Sequence, residues 1–374
     1  MRLIGLAEQA RKGFPNATPP RLRSFGDLAP ICVRRRPACG PTRLLIASVV
    51  HMSDSTKSDP IGQRDIPDYP RYAGLATFAL LPRIEDVPQA DVAVLGIPFD
   101  AGTSFRPGAR FGPNHIREAS RQLHPYHQTH DVYPFKVNQV VDAGDLGVTP
   151  YSIEAAVASI EKSADEYAEQ GIRLVTLGGD HTIALPLLRA VAKKNGPVGV
   201  IHFDAHLDTW DTHFGAPIWH GSPFRRAAEE GLLDLERCIH VGLRGGVYDK
   251  DELEADGVLG FQIIRADDYE TDGAATIVER IRNRVEGGPI YISIDIDVLD
   301  PAHAPATGTP EVAGLSTREL FATLRGLTGI GILGADIVEV APAYDHAALT
   351  GLVAAHTAWE VLSLMAYDKE HFGL

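Results

Sequence analysis

The sequence is poor in cysteine, with only Cys32, Cys39 and Cys238 in 374 residues. So few thiols exclude a disulfide framework and a thiolate zinc site in the body of the chain, and they fit a reducing compartment. Uninterrupted apolar runs are also short, because none approaches the roughly 18 residues that a membrane-spanning helix needs. We therefore expect no membrane association.

Positive charge is scarce beside negative charge. The chain has 35 lysines and arginines against 49 aspartates and glutamates, a formal net charge of −14. This balance argues against nucleic-acid binding through phosphate contacts. It would suit a cationic substrate, although an acidic surface also simply favours solubility.

The first 51 residues have the opposite composition. They contain nine lysines and arginines but only two acids, Glu8 and Asp27, and six prolines that prevent much regular structure. Because Met52 opens a polar segment typical of an N-terminus, we interpret residues 1–51 as a disordered or misassigned upstream extension of a cytoplasmic protein. Organellar targeting by this basic leader, and export, remain open alternatives.

From about residue 90, short apolar runs alternate with helix-like stretches. The runs are continuously apolar, which is typical of parallel strands covered by helices on both sides, and they occupy 91–97, 173–177, 198–203, 238–241, 260–264, 290–296 and 332–340. Helices are predicted over 152–171, 184–196, 316–327 and 347–367, with Ser152 as one cap and Ser316 with Glu319 as a capping box. The pattern predicts an α/β domain over 85–370 with a mainly parallel sheet, preceded by an arm over 52–84.

Ionisable residues stand where one of these strands ends. In “GVIHFDAHLDTW” an apolar run stops at Asp204, His206 and Asp208, which project to one side if the chain is extended. Burying three such groups costs free energy unless something compensates. The alternative is a solvated loop.

Three further segments place similar residues at strand ends. His181 follows a strand and two glycines; the alternative interpretation is a helix start capped by Asp180. Asp295 and Asp297 interrupt another apolar strand at positions i and i+2, so their like charges would raise one pKa sharply unless a shared proton or a cation relieves the repulsion. Glu339 lies within the run 332–340, with Asp336 as the alternative acid.

Together these segments supply two histidines and four aspartates, which are His181, Asp204, His206, Asp208, Asp295 and Asp297. Four carboxylates exceed the charge that one divalent ion usually needs, so we predict two bridged ions about 3.5–4 Å apart. Imidazole and oxygen ligands without thiolates favour Mn²⁺.

Three stretches carry a family resemblance. “GGDHTIALP”, “HFDAHLDTW” and “SIDIDVLDPAHAPATGTP”, in this order, resemble the signature segments of the ureohydrolase family, which includes arginase, agmatinase and guanidinobutyrase. The resemblance spans about residues 90–367 and is greatest to the agmatinases. It implies a three-layer αβα fold, two Mn²⁺ ions per subunit and a homo-oligomer, a trimer or a hexamer. The implied reaction hydrolyses a guanidinium C–N bond of a small substrate, with agmatine giving putrescine and urea.

The resemblance also implies roles for single residues. His181, Asp204, Asp208 and Asp295 resemble the ligands of one ion, and Asp204, His206, Asp295 and Asp297 those of the other. His220 matches the family's proton-transfer histidine, Glu339 matches the acid that holds the guanidinium, and Asp297 is placed to accept a proton from the attacking water. Ala306 departs from the glycine that many relatives have at this position.

Several alternatives stay open at this point. Guanidinobutyrase, or another guanidino-acid hydrolase, is the second candidate, and Arg106 or Arg110 would then meet the substrate carboxylate or else form subunit salt bridges. The segment with His213 and Trp219 contains Asp211 but no lysine or arginine, which favours an amine-tailed substrate. A one-zinc deacetylase conflicts with the presence of both His181 and His206. A non-catalytic, metal-retaining regulator conflicts with the complete ligand set.

Overall fold

The computed structural model describes residues 59–64 and 69–374. Within this part, eight parallel strands form one sheet in the order β2-β1-β3-β8-β7-β4-β5-β6. The strands are β1 Val92–Ile97, β2 Val140–Asp145, β3 Arg173–Gly178, β4 Gly199–Phe203, β5 Ile239–Leu243, β6 Gln262–Arg265, β7 Ile290–Asp295 and β8 Ile332–Val338. The leader assigned to residues 1–51 lies outside the described residues, and the boundaries at 52, 85 and 370 stay predictions.

Helices cover both faces of the sheet. They are α1 Gly112–Ser120, α2 Pro134–Val137, α3 Ile153–Glu169, α4 Ala184–Asn195, α5 Pro223–Glu229, α6 Lys250–Leu259, α7 Asp268–Val285, α8 Thr317–Arg325 and α9 Leu349–Phe372. Apolar residues of α3, α4 and α5 pack on one face, and those of α1, α7, α8 and α9 on the other. This arrangement confirms the predicted three-layer αβα fold.

The strand sequences explain why both faces are apolar. Side chains alternate along a strand, so Val92 and Val94 of β1 enter one core while Leu95 and Ile97 enter the other. All six residues of β1 are buried. A strand covered on both sides therefore reads as one apolar run, which is how the sequence revealed it.

The predicted helix caps are present. The Ser152 side chain accepts a hydrogen bond from the Ala155 amide at the start of α3, and Ser316 with Glu319 forms the capping box of α8. The sequence pattern missed β2, in which Asp142 and Asp145 interrupt the apolar run and bind Arg117. It also missed the helices α1, α2, α5, α6 and α7.

Helix α9 departs from the expectation that no apolar segment is long enough to span a membrane. Its 24 residues are long and apolar enough on average to cross a membrane, although polar residues interrupt the run. In the fold, 78% of its most apolar 18-residue window is buried. Such burial is typical of a core helix, and α9 packs against α1, α2 and α8.

The strand order places the carboxyl ends of four strands side by side. Strands β3, β8, β7 and β4 are consecutive neighbours in the sheet, and their carboxyl ends meet at one edge. Two strands end earlier than predicted. Strand β7 ends at Asp295, so Asp297 lies in a short 3-10 turn, Ile296–Val298, and β8 ends at Val338, so Glu339 follows the strand with a φ of 64°.

Glu360 of α9 connects this helix to the end of α8 and to the segment that contains His127. Its buried carboxylate accepts hydrogen bonds from Arg325 at the end of α8 and lies 2.9 Å from His127 Nε2. His127 Nδ1 accepts the backbone N–H of His130, so His127 carries its proton on Nε2 and donates it to Glu360. Because both ring nitrogens are used, we interpret this cluster as structural rather than metal-binding.

We expect Glu360→Gln to lower the free energy of unfolding by about 1–3 kcal/mol at pH 7, because it weakens buried charged hydrogen bonds. Hydrogen bonds from His127 and Arg325 lower the pKa of Glu360 even though burial opposes this. The stabilisation is therefore present above the unfolded-state pKa and is lost as the pH falls through the lower folded-state pKa. Urea unfolding at pH 7 and below about pH 4 should show the two stabilities converging in acid. Equal stabilities at pH 7 would contradict the assignment, and Glu370→Gln, on the exposed end of α9, is the control.

Candidate metal centre and active site

His181 stands at the carboxyl end of β3, in the 3-10 turn His181–Ile183. The predicted cap is real, because the Asp180 side chain accepts a hydrogen bond from the Thr182 amide. The cap does not replace the ligand interpretation, since His181 Nδ1 faces three carboxylates. It lies 2.9 Å from Asp208, 3.3 Å from Asp204 and 3.5 Å from Asp295.

A hydrogen-bonded chain fixes the tautomer of His181. The Ser293 hydroxyl donates to Asp336 at 2.7 Å and therefore accepts from His181 Nε2 at 2.8 Å. The proton of a neutral ring then sits on Nε2, which leaves the lone pair of Nδ1 facing the carboxylates. Asp336, the alternative acid of the sequence stretch, thus pairs structurally and orients His181.

A second group forms around His206. His206 Nδ1 lies 3.1 Å from Asp297 Oδ2 and 3.3 Å from Asp204 Oδ1. Asp204 belongs to both groups, with Oδ2 towards His181 and Oδ1 towards His206. The structure therefore brings together all six residues predicted from the sequence as metal ligands.

Charge is uncompensated in this cluster. All four carboxylates are buried. Burial, then Asp297 and Asp204, raise the pKa of Asp295 well above its usual value, and burial and Asp204 raise the pKa of Asp297 to about 6.

His181 Nδ1 is buried without a hydrogen-bond partner. Divalent cations bind an imidazole lone pair together with several carboxylates. The donor set of this cluster therefore fits two divalent cations. Asp204 is a carboxylate that faces both groups.

His220 and Glu339 form a pair beside the cluster. His220 Nδ1 lies 3.0 Å from Glu339 Oε1, an oxygen that also accepts the His181 backbone N–H. This pairing raises the pKa of His220 to about 9 although burial opposes it. On its other side, His220 Nε2 lies 2.8 Å from Ser104 Oγ and accepts the Ser104 backbone N–H at 3.1 Å.

Glu339 Oε2 is buried and has no hydrogen-bond partner among the residues that the structure describes. Because the backbone of Glu339 has a positive φ, which non-glycine residues adopt rarely, its placement is strained and is held by the surrounding contacts. The carboxylate therefore has one free acceptor in a dry environment.

A cavity of about 190 Å³ opens onto the cluster. Within residues 59–64 and 69–374, no lysine or arginine lines this cavity. Its wall consists of Ser104, His206, Asp208, Trp210, His213, Trp219, His220, Gly221, Gly246, Tyr248, Asp295, Thr309 and Glu311. Trp219 stacks between Trp210 and His213, which gives the rim an aromatic side.

The predicted rim charges are placed differently. Asp211 forms an ion pair with Arg226, so its carboxylate is already neutralised, and Glu311 is the acid at the rim instead. Arg110 pairs with Asp100, whereas Arg106 lies over the ring of Tyr344.

Sequence reasoning missed several residues behind and around the centre. His202 precedes Asp204 by two positions in the otherwise apolar strand β4, and this spacing places both on one side of the strand. Ser293 has the same relation to Asp295 in β7. A polar residue at i−2 in a buried strand was the available signal, whereas Ser104 and Glu311 carry no local signal.

Comparisons with known proteins agree with this geometry. A model of the arginase family matches residues 90–363. Guanidinobutyrase of Pseudomonas aeruginosa is 40% identical over 315 residues, which cover 83% of this chain and 98% of the relative. Mitochondrial agmatinase of Gallus gallus is 41% identical over 295 residues, which cover 79% and 87%.

A solved structure agrees as well. Proclavaminate amidino hydrolase of Streptomyces clavuligerus is 38% identical, with a TM-score of 0.77 over 80% of this chain and 100% of that one. The chain belongs to the arginase family and is a hydrolase of guanidino compounds.

Proposed function

We propose that the protein is a dinuclear manganese hydrolase that cleaves agmatine to putrescine and urea. The observation that carries this proposal is the convergence of two ligand groups on Asp204, next to a cavity with the His220–Glu339 pair. His181, Asp208, Asp204 and Asp295 would hold one ion. His206, Asp297, Asp204 and Asp295 would hold the other.

When bound, two such ions supply Lewis acidity and a water activated near neutral pH. Glu339 binds the guanidinium through Oε2, the oxygen without a partner, while Oε1 stays on His220 and the His181 amide. The planar cation and the carboxylate form charge-assisted hydrogen bonds that fix the reacting carbon.

Proton transfer falls to two other residues. Asp297 accepts a proton from the attacking water and passes it towards the leaving amine, from its position beside His206 and Asp204. His220 exchanges protons with solvent through Ser104 Oγ, which lines the cavity at 2.8 Å from the ring.

The cavity supports an amine-tailed substrate. Its charged rim residue is Glu311, 39% exposed at the side chain, and the stacked indoles of Trp210 and Trp219 offer π faces to a cation.

A guanidino acid is the second candidate, because guanidinobutyrase is a relative. Arg106, on the loop of Ser104, has no carboxylate partner within residues 59–64 and 69–374, which would suit such a substrate.

We also propose a homo-oligomer, a trimer or a hexamer, in the cytoplasm. Organellar targeting by residues 1–51 is the alternative, because one relative is a mitochondrial agmatinase.

Urea release from agmatine, 4-guanidinobutyrate, 3-guanidinopropionate and arginine, measured in parallel with Mn²⁺-loaded protein, tests the substrate. We expect the highest kcat/KM for agmatine. Fast turnover of a guanidino acid without turnover of agmatine would reject agmatine and favour the second candidate. No urea from any of the four would reject the reaction itself.

We expect Asp297→Ala to reduce kcat by about 10²–10⁴-fold, because a ligand and a proton acceptor are lost together. The metal-free variant should unfold at the same temperature as the wild type or higher, since one of four repelling carboxylates is gone. Added Mn²⁺ should raise its melting temperature less than that of the wild type. Full activity, or a large loss of stability without metal, would contradict the role.

Glu339→Gln should chiefly raise KM, by about 10–100-fold, because a neutral amide binds the guanidinium more weakly than a carboxylate does. Elemental analysis should still find the wild-type metal content, since Glu339 is placed beside the ligands and not among them. Loss of both ions, with KM unchanged, would disprove the assignment to substrate binding.

A further inference from the structure

A buried chain of side chains leads from the metal centre to helix α6. Asp204 Oδ2 lies 2.8 Å from His202 Nε2, and His202 Nδ1 lies 2.7 Å from His240 Nδ1 in the neighbouring strand β5. His240 Nε2 lies 3.2 Å from Asp256 Oδ1 on α6. His202, His240 and Asp256 are at most 1% exposed, so water does not substitute for these contacts.

These side-chain contacts exclude His202 as a metal ligand. One of its nitrogens faces Asp204 and the other faces His240, so neither nitrogen is free to bind an ion. Its position fits an orienting role instead, because it holds the Asp204 oxygen that also faces His181. Hydrogen bonds to ligating carboxylates commonly fix them in this way.

Two arms connect Asp256 to the segment that carries Asp204 and Asp208. The first arm is the His202–His240 pair, and the second is Thr209. The Thr209 hydroxyl donates to Asp256 Oδ1 at 2.7 Å. Thr209 directly follows Asp208, whose φ of 54° is unfavourable for a non-glycine residue and needs support from its neighbours. One oxygen of Asp256 therefore anchors both Asp204, through the two histidines, and Asp208, through Thr209.

We infer that Asp256 is a positioning residue of the metal centre, which holds the two ligands that flank His181 in the geometry that binds the ion there. This inference rests on the proposed dinuclear centre. A merely structural acid would satisfy buried donors without regard to the ligands. Here both arms end on one ligand-bearing segment, 204–209, and on no other part of the chain that the structure describes.

Calorimetric titration of the metal-free full-length protein with MnCl₂ tests the inference. Wild type should bind two ions per chain. Asp256→Ala should weaken binding of one ion by about 10–100-fold, the range typical of lost outer-shell contacts. At saturating Mn²⁺ its kcat should recover and its KM should stay unchanged. Asp256→Asn keeps an oxygen for Thr209 and His240 but loses the charge, so its affinity should lie between the two.

The matched control is Asp368→Ala. Asp368 is an equally buried acid, 1% exposed, which accepts the backbone amides of Gly329 and Gly331. It should lower the melting temperature without changing the affinity for Mn²⁺. If Asp256→Ala does not fold, Thr209→Val and His240→Phe each cut one arm, and weaker binding in either supports the inference.

Wild-type affinity in Asp256→Ala, or in both single-arm variants, would overturn the inference while leaving the dinuclear centre intact. If Asp256→Ala and Asp368→Ala weakened Mn²⁺ binding by the same factor, the inference would be overturned as well. Wild type that binds fewer than two ions would instead overturn the proposed dinuclear centre.

Discussion

The constraint on which this structure depends is electrostatic: four buried carboxylates converge where parallel strands end. Burial and the neighbouring carboxylates raise the pKa of Asp295 and of Asp297, so the charged forms of these residues oppose folding. Two cations between Asp204, Asp208, Asp295 and Asp297 would turn this repulsion into attraction. Metal binding and folding of this edge of the sheet would therefore be coupled.

The rest of the site serves to hold these charges in place. Asp208 and Glu339 have positive φ angles, which persist only where surrounding contacts enforce them. Behind the ligands, Ser293 and Asp336 orient His181 on one side. On the other side, buried side chains connect the ligand segment to α6. The proposed chemistry would thus depend on hydrogen bonds that lie outside the proposed ligand set.

The sequence predicted the sheet and the six-residue cluster because both depend on local patterns. Buried parallel strands read as apolar runs, and polar residues at their ends must meet at one edge. It misplaced Asp297 and Glu339 on strands, since the change from strand to turn depends on tertiary contacts. It also missed Ser104 and Asp256, whose partners are more than 15 residues away and follow only from the folded topology.

Anomalous diffraction at the manganese edge, from crystals grown with MnCl₂, tests the central claim most directly. The account predicts two peaks per chain, about 3.5–4 Å apart, with Asp204 and Asp295 coordinating both. A single peak, or peaks away from these carboxylates, would contradict it.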